Sequence, residues 1–334
     1  MRRNLLTLLG ACGVLTALGA TGAAVPKLSP GQAPARASSA LKDRFVGAWK
    51  LVSIETRNAK GEVVPPNPPG RPTPVGYIIY DSAGYVAVGI MPSGRKKYAA
   101  AQPTADEALA AMTGYAAYYG TFTINEAEGF VTHHLEGSLN PGMGADQKRF
   151  FELSGNRLTL KPPPGATGNQ ARIVWERIPD VSNPTAEQRK FIGFWKLVSN
   201  ERRNEKGELV SSNTGQTGYI IYTAAGVMMV EMMQPNRSKF AGAQPTAEEA
   251  RQNMRTYTNY FGPFYVHEAD HYVVHDQVAT LNPGRNGPSP QQRFYTFSGN
   301  RLILKPPLTP NALDGQIYQG TITWERVGGG RSSQ

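Results

Sequence analysis

Glu55, His133 and Arg149 carry the clearest chemical signal in this sequence, because each alternates with apolar residues. Trp49, Leu51, Ser53 and Glu55 share one phase, as do Val131, His133 and Leu135, and likewise Arg149, Phe151 and Leu153. Strand side chains repeat with period two, so residues of one phase lie on one face. Glu201, His275 and Arg293 repeat the set later in the chain, while the intervening Thr132, His134 and Glu136 become Val274, Asp276 and Val278. A buried Glu, His and Arg are each costly unless mutually hydrogen-bonded. One reading is therefore a satisfied polar network that fixes strand register. The other is a pocket in which Arg149 grips a carboxylate or carbonyl, His133 donates or accepts a proton and Glu55 orients the His; imidazole is the natural acid/base near neutral pH.

Arg95 and Arg237 precede a helical segment in each half and are candidates to guard a pocket mouth, with solvated arginines as the alternative. Tyr115 and Tyr257 join the candidate ligand-binding residues, in a group with Tyr118, Tyr119, Tyr260 and Phe261. His267-Glu268-Ala269-Asp270-His271 has the HExxH spacing of zinc proteases. That motif needs a helix to bring both His to one face, and here it falls between two alternating strand patterns, opposite Asn125-Glu126-Ala127-Glu128-Gly129. It reads as a hairpin turn, and no metal or cofactor is expected. Nucleophile-elbow, P-loop and dinucleotide patterns are missing from the sequence.

These residues sit in a tandem duplication. Phe45–Val64 and Phe191–Val210 are identical at 14 of 20 positions, GYIIYDSAG pairs with GYIIYTAAG, and RFFELSGNRLTLKPP pairs with RFYTFSGNRLILKPP. A period near 145 residues is a domain rather than a solenoid unit. In copy one, alternation and turn signals predict eight strands near 48–55, 76–80, 85–91, 119–126, 129–138, 148–153, 157–161 and 171–178. Tight turns make this an antiparallel meander, and closing it on itself removes exposed edges. Capping boxes at Thr104 and Thr246 predict one helix per copy, with Ala108, Met112, Tyr115 and Tyr119 as an apolar stripe for packing on the barrel or forming a lid. A third box at Thr185 predicts a helical turn before Phe191. Glu231 replaces Gly89; were that face interior, the two pockets would differ in polarity.

Gly47-x-Trp49 and Trp175-Glu176-Arg177 resemble the lipocalin pattern, in which a Trp near one end is covered by a late Arg. GAWKLVS, YIIYDSAGYVAV, YYGTF, THHLEGSLNP and KRFFELSGNRLTL resemble the bacterial lipocalin-like domain family, a calycin-type barrel, and each half carries the set over roughly Phe45–Ile178 and Phe191–Val327. The resemblance implies an all-β protein of two tandem eight-stranded antiparallel barrels, each with one inserted helix. Lipocalins at large bind small apolar molecules in the barrel, although fold alone does not license function.

The chain has 334 residues, a net charge of +10 and one Cys. One Cys provides no internal disulfide, so each domain stands on its apolar core. Met1–Ala24 reads as an export signal, with two arginines before an apolar run too short for a stable span. Its Leu9-Gly10-Ala11-Cys12 resembles a lipoprotein box, but the apolar run continues past Cys12, so the Cys is expected to leave with the signal. The domain plan is residues 1–24 signal, 25–43 flexible leader, 44–178 and 191–327 barrels, 179–190 linker and 328–334 tail. Lys and Arg are spread through both halves without a basic run, which argues against nucleic acid as a partner.

The sequence therefore predicts an exported periplasmic or extracellular protein that binds a small, largely apolar molecule, with an acidic or carbonyl group as an option. Two alternatives stand beside it: an isomerase or cyclase using the Glu/His/Arg set without metal, and a structural envelope module with filled barrels.

Overall fold

A computed structural model describes residues 34–66, 73–284, 287–310 and 315–328. The expected export signal, Cys12 and the start of the leader lie outside these residues. Helix α1 (Pro34–Phe45) leads into β1 (Gly47–Arg57), β2 (Val63–Val64), β3 (Val75–Tyr80) and β4 (Tyr85–Met91). Helix α2 (Ala105–Met112) is followed by β5 (Ala116–Asn125), β6 (Phe130–Ser138), β7 (Asp146–Ser154), β8 (Arg157–Lys161) and β9 (Gln170–Arg177). The order repeats with α3 (Ala186–Phe191), β10 (Gly193–Asn204), β11 (Leu209–Ser212), β12 (Thr217–Tyr222), β13 (Val227–Met233) and α4 (Ala247–Arg255). It ends with β14 (Tyr257–His267), β15 (Tyr272–Asp276), β16 (Ala279–Thr280), β17 (Pro290–Ser298), β18 (Arg301–Lys305), β19 (Thr309–Pro310) and β20 (Ile317–Arg326).

Each copy closes into an eight-stranded antiparallel barrel. The first runs β1-β3-β4-β5-β6-β7-β8-β9 and returns through the β1–β9 pairing; the second closes through β10–β20. The short β2, β11, β16 and β19 pair outside these circuits. Closure leaves no long unpaired edge.

One end of each barrel is plugged. Phe45, at the end of α1, meets Tyr80 and Phe151 edge-on at 5.3 and 5.1 Å. Part of the expected leader is therefore helical, anchored by buried Leu41 and Phe45. Trp49 lies beside this plug, its indole N–H donating to the Phe45 carbonyl at 2.8 Å, and the Arg177 guanidinium covers its ring at 4.2 Å. Arg177 also donates to the carbonyls of Val46 and Arg44. Gly47 is required here: its φ is +130°, and a Cβ would fall 2.5 Å from Arg177 Nη1. Gly193, Trp195 and Arg326 repeat the arrangement, with the ring covered at 4.1 Å.

The expected capping boxes form at Thr104, Thr185 and Thr246. The apolar stripe differs from expectation. Helix α2 stops at Met112, Gly114 turns the chain at φ +75°, and Tyr119 lies on β5, so the four residues do not share a helix face. Helix α2 packs on the first barrel through Ala117 of β5 and Met91 of β4, and mainly on the other copy. Ala108, Ala111 and Met112 pack with Ala250 and Met254 of α4, the small residues allowing close approach.

The two barrels also share a wall. Ala48, Ile79, Ala87 and Tyr119 from the outer face of the first join Phe194, Tyr219, Ile221, Met229 and Phe261 of the second in one buried cluster. Tyr85 stacks on Phe194 at 5.5 Å, and Tyr219 donates to Glu136 Oε2 at 2.7 Å. Two-sided burial explains why β3, β4, β12 and β13 read as nearly continuous apolar runs.

Candidate functional site

The first barrel has its buried tryptophans at the plugged end, where Ile124, Phe151 and Leu153 are half-buried, and a set of half-buried apolar residues toward the other end. Trp49 and Trp175 are fully buried beside the plug, Leu51 and Ile173 above them are half-buried, and Ile54, near the other end of β1, is 42% exposed. Ala116, Leu135 and Met143 are likewise half-buried, so an apolar ring lines the accessible end.

His133 sits in the floor beneath that ring, fully buried. Its Nε2 lies 2.8 Å from the Tyr80 hydroxyl and its Nδ1 2.9 Å from the Tyr118 hydroxyl. Burial, reinforced by the nearby Arg149 charge, pushes its pKa down to about 3, so the ring is neutral at working pH. A neutral imidazole carries one N–H, so it donates to one tyrosine and accepts from the other. Desolvation raises the pKa of both tyrosines, which keeps their protons in place.

Arg149, half-buried and in interior phase on β7, lies near Tyr118 and donates to Gln147 Oε1 at 3.3 Å. The second barrel repeats the cluster: His275 is 2.7 Å from Tyr222 and 3.0 Å from Tyr260, with Arg293 beside Tyr260. Burial drives the His275 pKa well below the usual imidazole range.

Geometry therefore joins His133 to Arg149, and His275 to Arg293, through tyrosine pairs. Glu55 and Glu201 do not join them. Pairing of β1 with β9 slips between Leu51 and Ser53, a β-bulge at Val52 that reverses the phase beyond it. Glu55 consequently pairs in register with Arg172 on the outer face, where it bonds Arg57 at 2.7 Å and lies 3.5 Å from Arg172. The same slip between Leu197 and Ser199 turns Glu201 outward to Arg203 at 2.8 Å. The expected orientation of His133 by Glu55 is thus replaced by Tyr80 and Tyr118.

Arg95, Arg237, Tyr115 and Tyr257 gather where the domains meet, with the two arginines also bordering the accessible end of the first barrel. Arg95 donates to the carbonyls of Thr280 and Leu281 at 2.6 and 2.5 Å, and Arg237 to those of Ser138 and Leu139, both at 2.5 Å. Each guanidinium lies over a tyrosine ring, Arg95 on Tyr115 at 5.1 Å and Arg237 on Tyr257 at 5.0 Å. The Tyr115 hydroxyl donates to Asn259 and that of Tyr257 to Glu231. Glu231 also faces this interface, not the barrel interior: Met229 beside it in phase belongs to the shared wall, whereas Met228, Val230 and Met232 fill the barrel. Arg95 additionally borders a cleft between α2 and the barrel rim.

His267 ends β14 and His271 occupies the hairpin turn at φ +52°, so HExxH is not helical. Sequence reasoning overlooked Tyr80 and Tyr222. Their signal was an interior-phase hydroxyl kept in GYIIYDSAG and GYIIYTAAG, opposite an interior His in both copies.

A closed eight-stranded meander with a helical plug and an arginine-covered tryptophan defines a calycin-type barrel, here built twice. The lipocalin-like domain model matches residues 46–178 and again 192–327, and the chain belongs to that family. No curated protein matches it. Among solved structures, a protein of unknown function from the DUF3598 family of Nostoc punctiforme is 11% identical, covering 87% of this chain and 99% of its own, with a TM-score of 0.23. A provisionally assigned outer membrane protein of Bacteroides fragilis is 9% identical, covering 85% and 99%, also with a TM-score of 0.23. TM-scores of this size carry no argument about function. Among the described residues no helix is long and apolar enough to cross a membrane.

Proposed function

We propose that the protein is an exported binder of small, largely apolar molecules, taken up through the accessible end of its barrels. The observation that carries this reading is the interior of the first barrel: a half-buried apolar ring over a hydrogen-bonded floor, with the Arg149 cation in reach of it. Such a site orients an apolar body and offers a charged donor to an acidic or carbonyl group. Export rests on the Met1–Ala24 sequence pattern.

Proton-transfer chemistry finds less support. Both ring nitrogens of His133 are engaged by tyrosines, its pKa lies far below neutrality, and the carboxylate expected to assist it is on the outside.

Native mass spectrometry of protein purified from its host envelope tests the proposal. A small-molecule adduct, released on denaturation and diminished in Arg149→Met, is expected. Protein that carries no adduct, or an adduct indifferent to both Arg149→Met and Arg293→Met, would overturn it.

A further inference from the structure

The apolar ring that carries the reading above belongs to the first barrel, and the second barrel breaks it. Ile54, Ala116 and Leu135 have Asn200, Thr258 and Gln277 as their counterparts. These positions belong to the accessible end. Ala116 and Leu135 pack on the interior core of the first barrel, and Asn200 pairs in register with Ile322 as Ile54 does with Ile173. Two residues further along the same phase, the pair Thr56 and Ala171 becomes Arg202 and Gly320.

A cleft of about 480 Å³ opens there, lined by Asn200, Arg202, Ser211, Asn213 and Tyr318, with Gly320 and three prolines completing it. That volume suits a small ligand. Glu201 also borders the cleft, but its carboxylate is held by Arg203 at 2.8 Å on the outer face. The lining is ordered before a ligand arrives: the Asn200 amide donates to Gln216 Oε1 at 2.9 Å, and the Arg202 guanidinium lies 5.1 Å from the centre of the Tyr318 ring. The floor is more open as well. Tyr118 is buried, whereas its counterpart Tyr260 is half-buried against His275, with Arg293 beside it.

An apolar body at this end would strip water from Asn200, Thr258 and Gln277 without replacing their hydrogen bonds, an unfavourable exchange. Hydroxyl groups do replace them, because a side-chain amide both donates and accepts. Charge adds a second requirement. Arg202 and Arg293 are the cations of this interior among the described residues, and a guanidinium fork matches a carboxylate.

We infer that the second barrel, unlike the first, binds a small hydrophilic carboxylate rich in hydroxyl groups, of the sugar-acid class, with Arg202 at its carboxylate and Asn200 and Gln277 at its hydroxyls. The inference rests on the reading of the barrels as binding cavities and divides the ligands between them.

The test is titration of the full chain with glucuronate, followed by amide proton and nitrogen shifts. Glucose, which has hydroxyls without the charge, and octanoate, which has the charge without hydroxyls, serve as controls. Glucuronate should move the side-chain amide signals of Asn200 and Gln277 saturably, and at lower concentration than either control. Arg202→Gln, at an exposed position, should weaken it several-fold and reduce its salt dependence. Asn200→Ile/Gln277→Leu installs residues that the first barrel already carries; it should weaken glucuronate about tenfold and let octanoate move signals of the second barrel. No saturable glucuronate shift, a shift confined to the first barrel, or binding unaffected by both variants overturns the inference. Octanoate or glucose binding the second barrel as tightly as glucuronate also overturns it. Octanoate shifts around Leu135, diminished in Arg149→Met, are read from separate signals, so a failure of the apolar site and a failure of this one are distinguishable.

Discussion

Arg95 and Arg237 hold each other's domains: each is the arginine of its own loop, and each donates two hydrogen bonds to main-chain carbonyls of the opposite barrel. Arg237 also reaches Asn253 and Thr256. Hydrogen bonds to a charged donor contribute about 1.5–3 kcal/mol each before the cost of desolvating the cation. Arg237→Ala is expected to lower the unfolding free energy by roughly 2–4 kcal/mol in urea denaturation. A loss below about 0.5 kcal/mol, within the range of ordinary surface substitutions, would show the clasp to be incidental.

Glu231 and Gly89 occupy equivalent positions, and the interface accepts only one carboxylate. A Cβ at Gly89 would stand 2.7 Å from the Phe261 ring, so Gly89→Ala should destabilise by about 1–3 kcal/mol through overpacking. Desolvation raises the Glu231 pKa well above the carboxylate range, so the folded protein keeps a proton that the unfolded chain releases. Stability should therefore be greatest at acid pH for this group and fall as pH rises from about 4.5 toward the folded value. Glu231→Gln should flatten that decline between pH 5 and 8 in urea titrations; an unchanged slope would contradict it.

The buried histidines act in the opposite direction. An unfolded chain protonates imidazole below about pH 6.5, while the folded one holds His133 neutral to about 3 and His275 well below the ordinary range. The unfolded state binds more protons in that window, so stability drops as pH is lowered below about 6.5, by up to about 1.4 kcal/mol per unit for each histidine. Carbon and nitrogen chemical shifts of His133 should show no titration between pH 8 and 5. A midpoint near 6.5 would mean that the ring is not sealed by Tyr80 and Tyr118.

Glu55→Gln should change stability by less than about 1 kcal/mol and leave ligand retention intact, because Glu55 sits in an exposed ion-pair cluster with Arg57 and Arg172. His133→Ala, which strips two buried hydroxyls of their partner, should cost about 2–4 kcal/mol. Comparable losses in the two variants by thermal or urea unfolding would refute this division between surface and floor.

Strand order, barrel closure and the capped helices were legible because alternation and capping boxes are local signals. Glu55 was misplaced because a single extra residue at Val52 reverses strand phase without a glycine or proline to mark it. Tyr115 and Tyr119 fit a helical spacing, yet Gly114 ends the helix between Met112 and both of them. The role of Arg95 was invisible for another reason: its partners, Thr280 and Leu281, are contributed by the other copy, some 185 residues away in sequence. The tyrosine pair around His133 could have been found by asking which interior hydroxyls recur in both copies.

The shared wall gives the duplication a physical meaning. Ala48, Ile79, Ala87 and Tyr119 are water-free only because the sister barrel lies against them. A lone barrel would carry an oily flank and would have to recruit a sibling from solution at every protein concentration. Joining the siblings through a short tether turns that bimolecular search into an intramolecular one, with an effective concentration in the millimolar range. Once the pairing is guaranteed by the peptide chain, the halves no longer need to be the same: Gly89 can become Glu231, and Tyr98 can become Phe240, without any loss of partnership. Division of labour between two barrels is what covalent pairing permits and a symmetric dimer forbids.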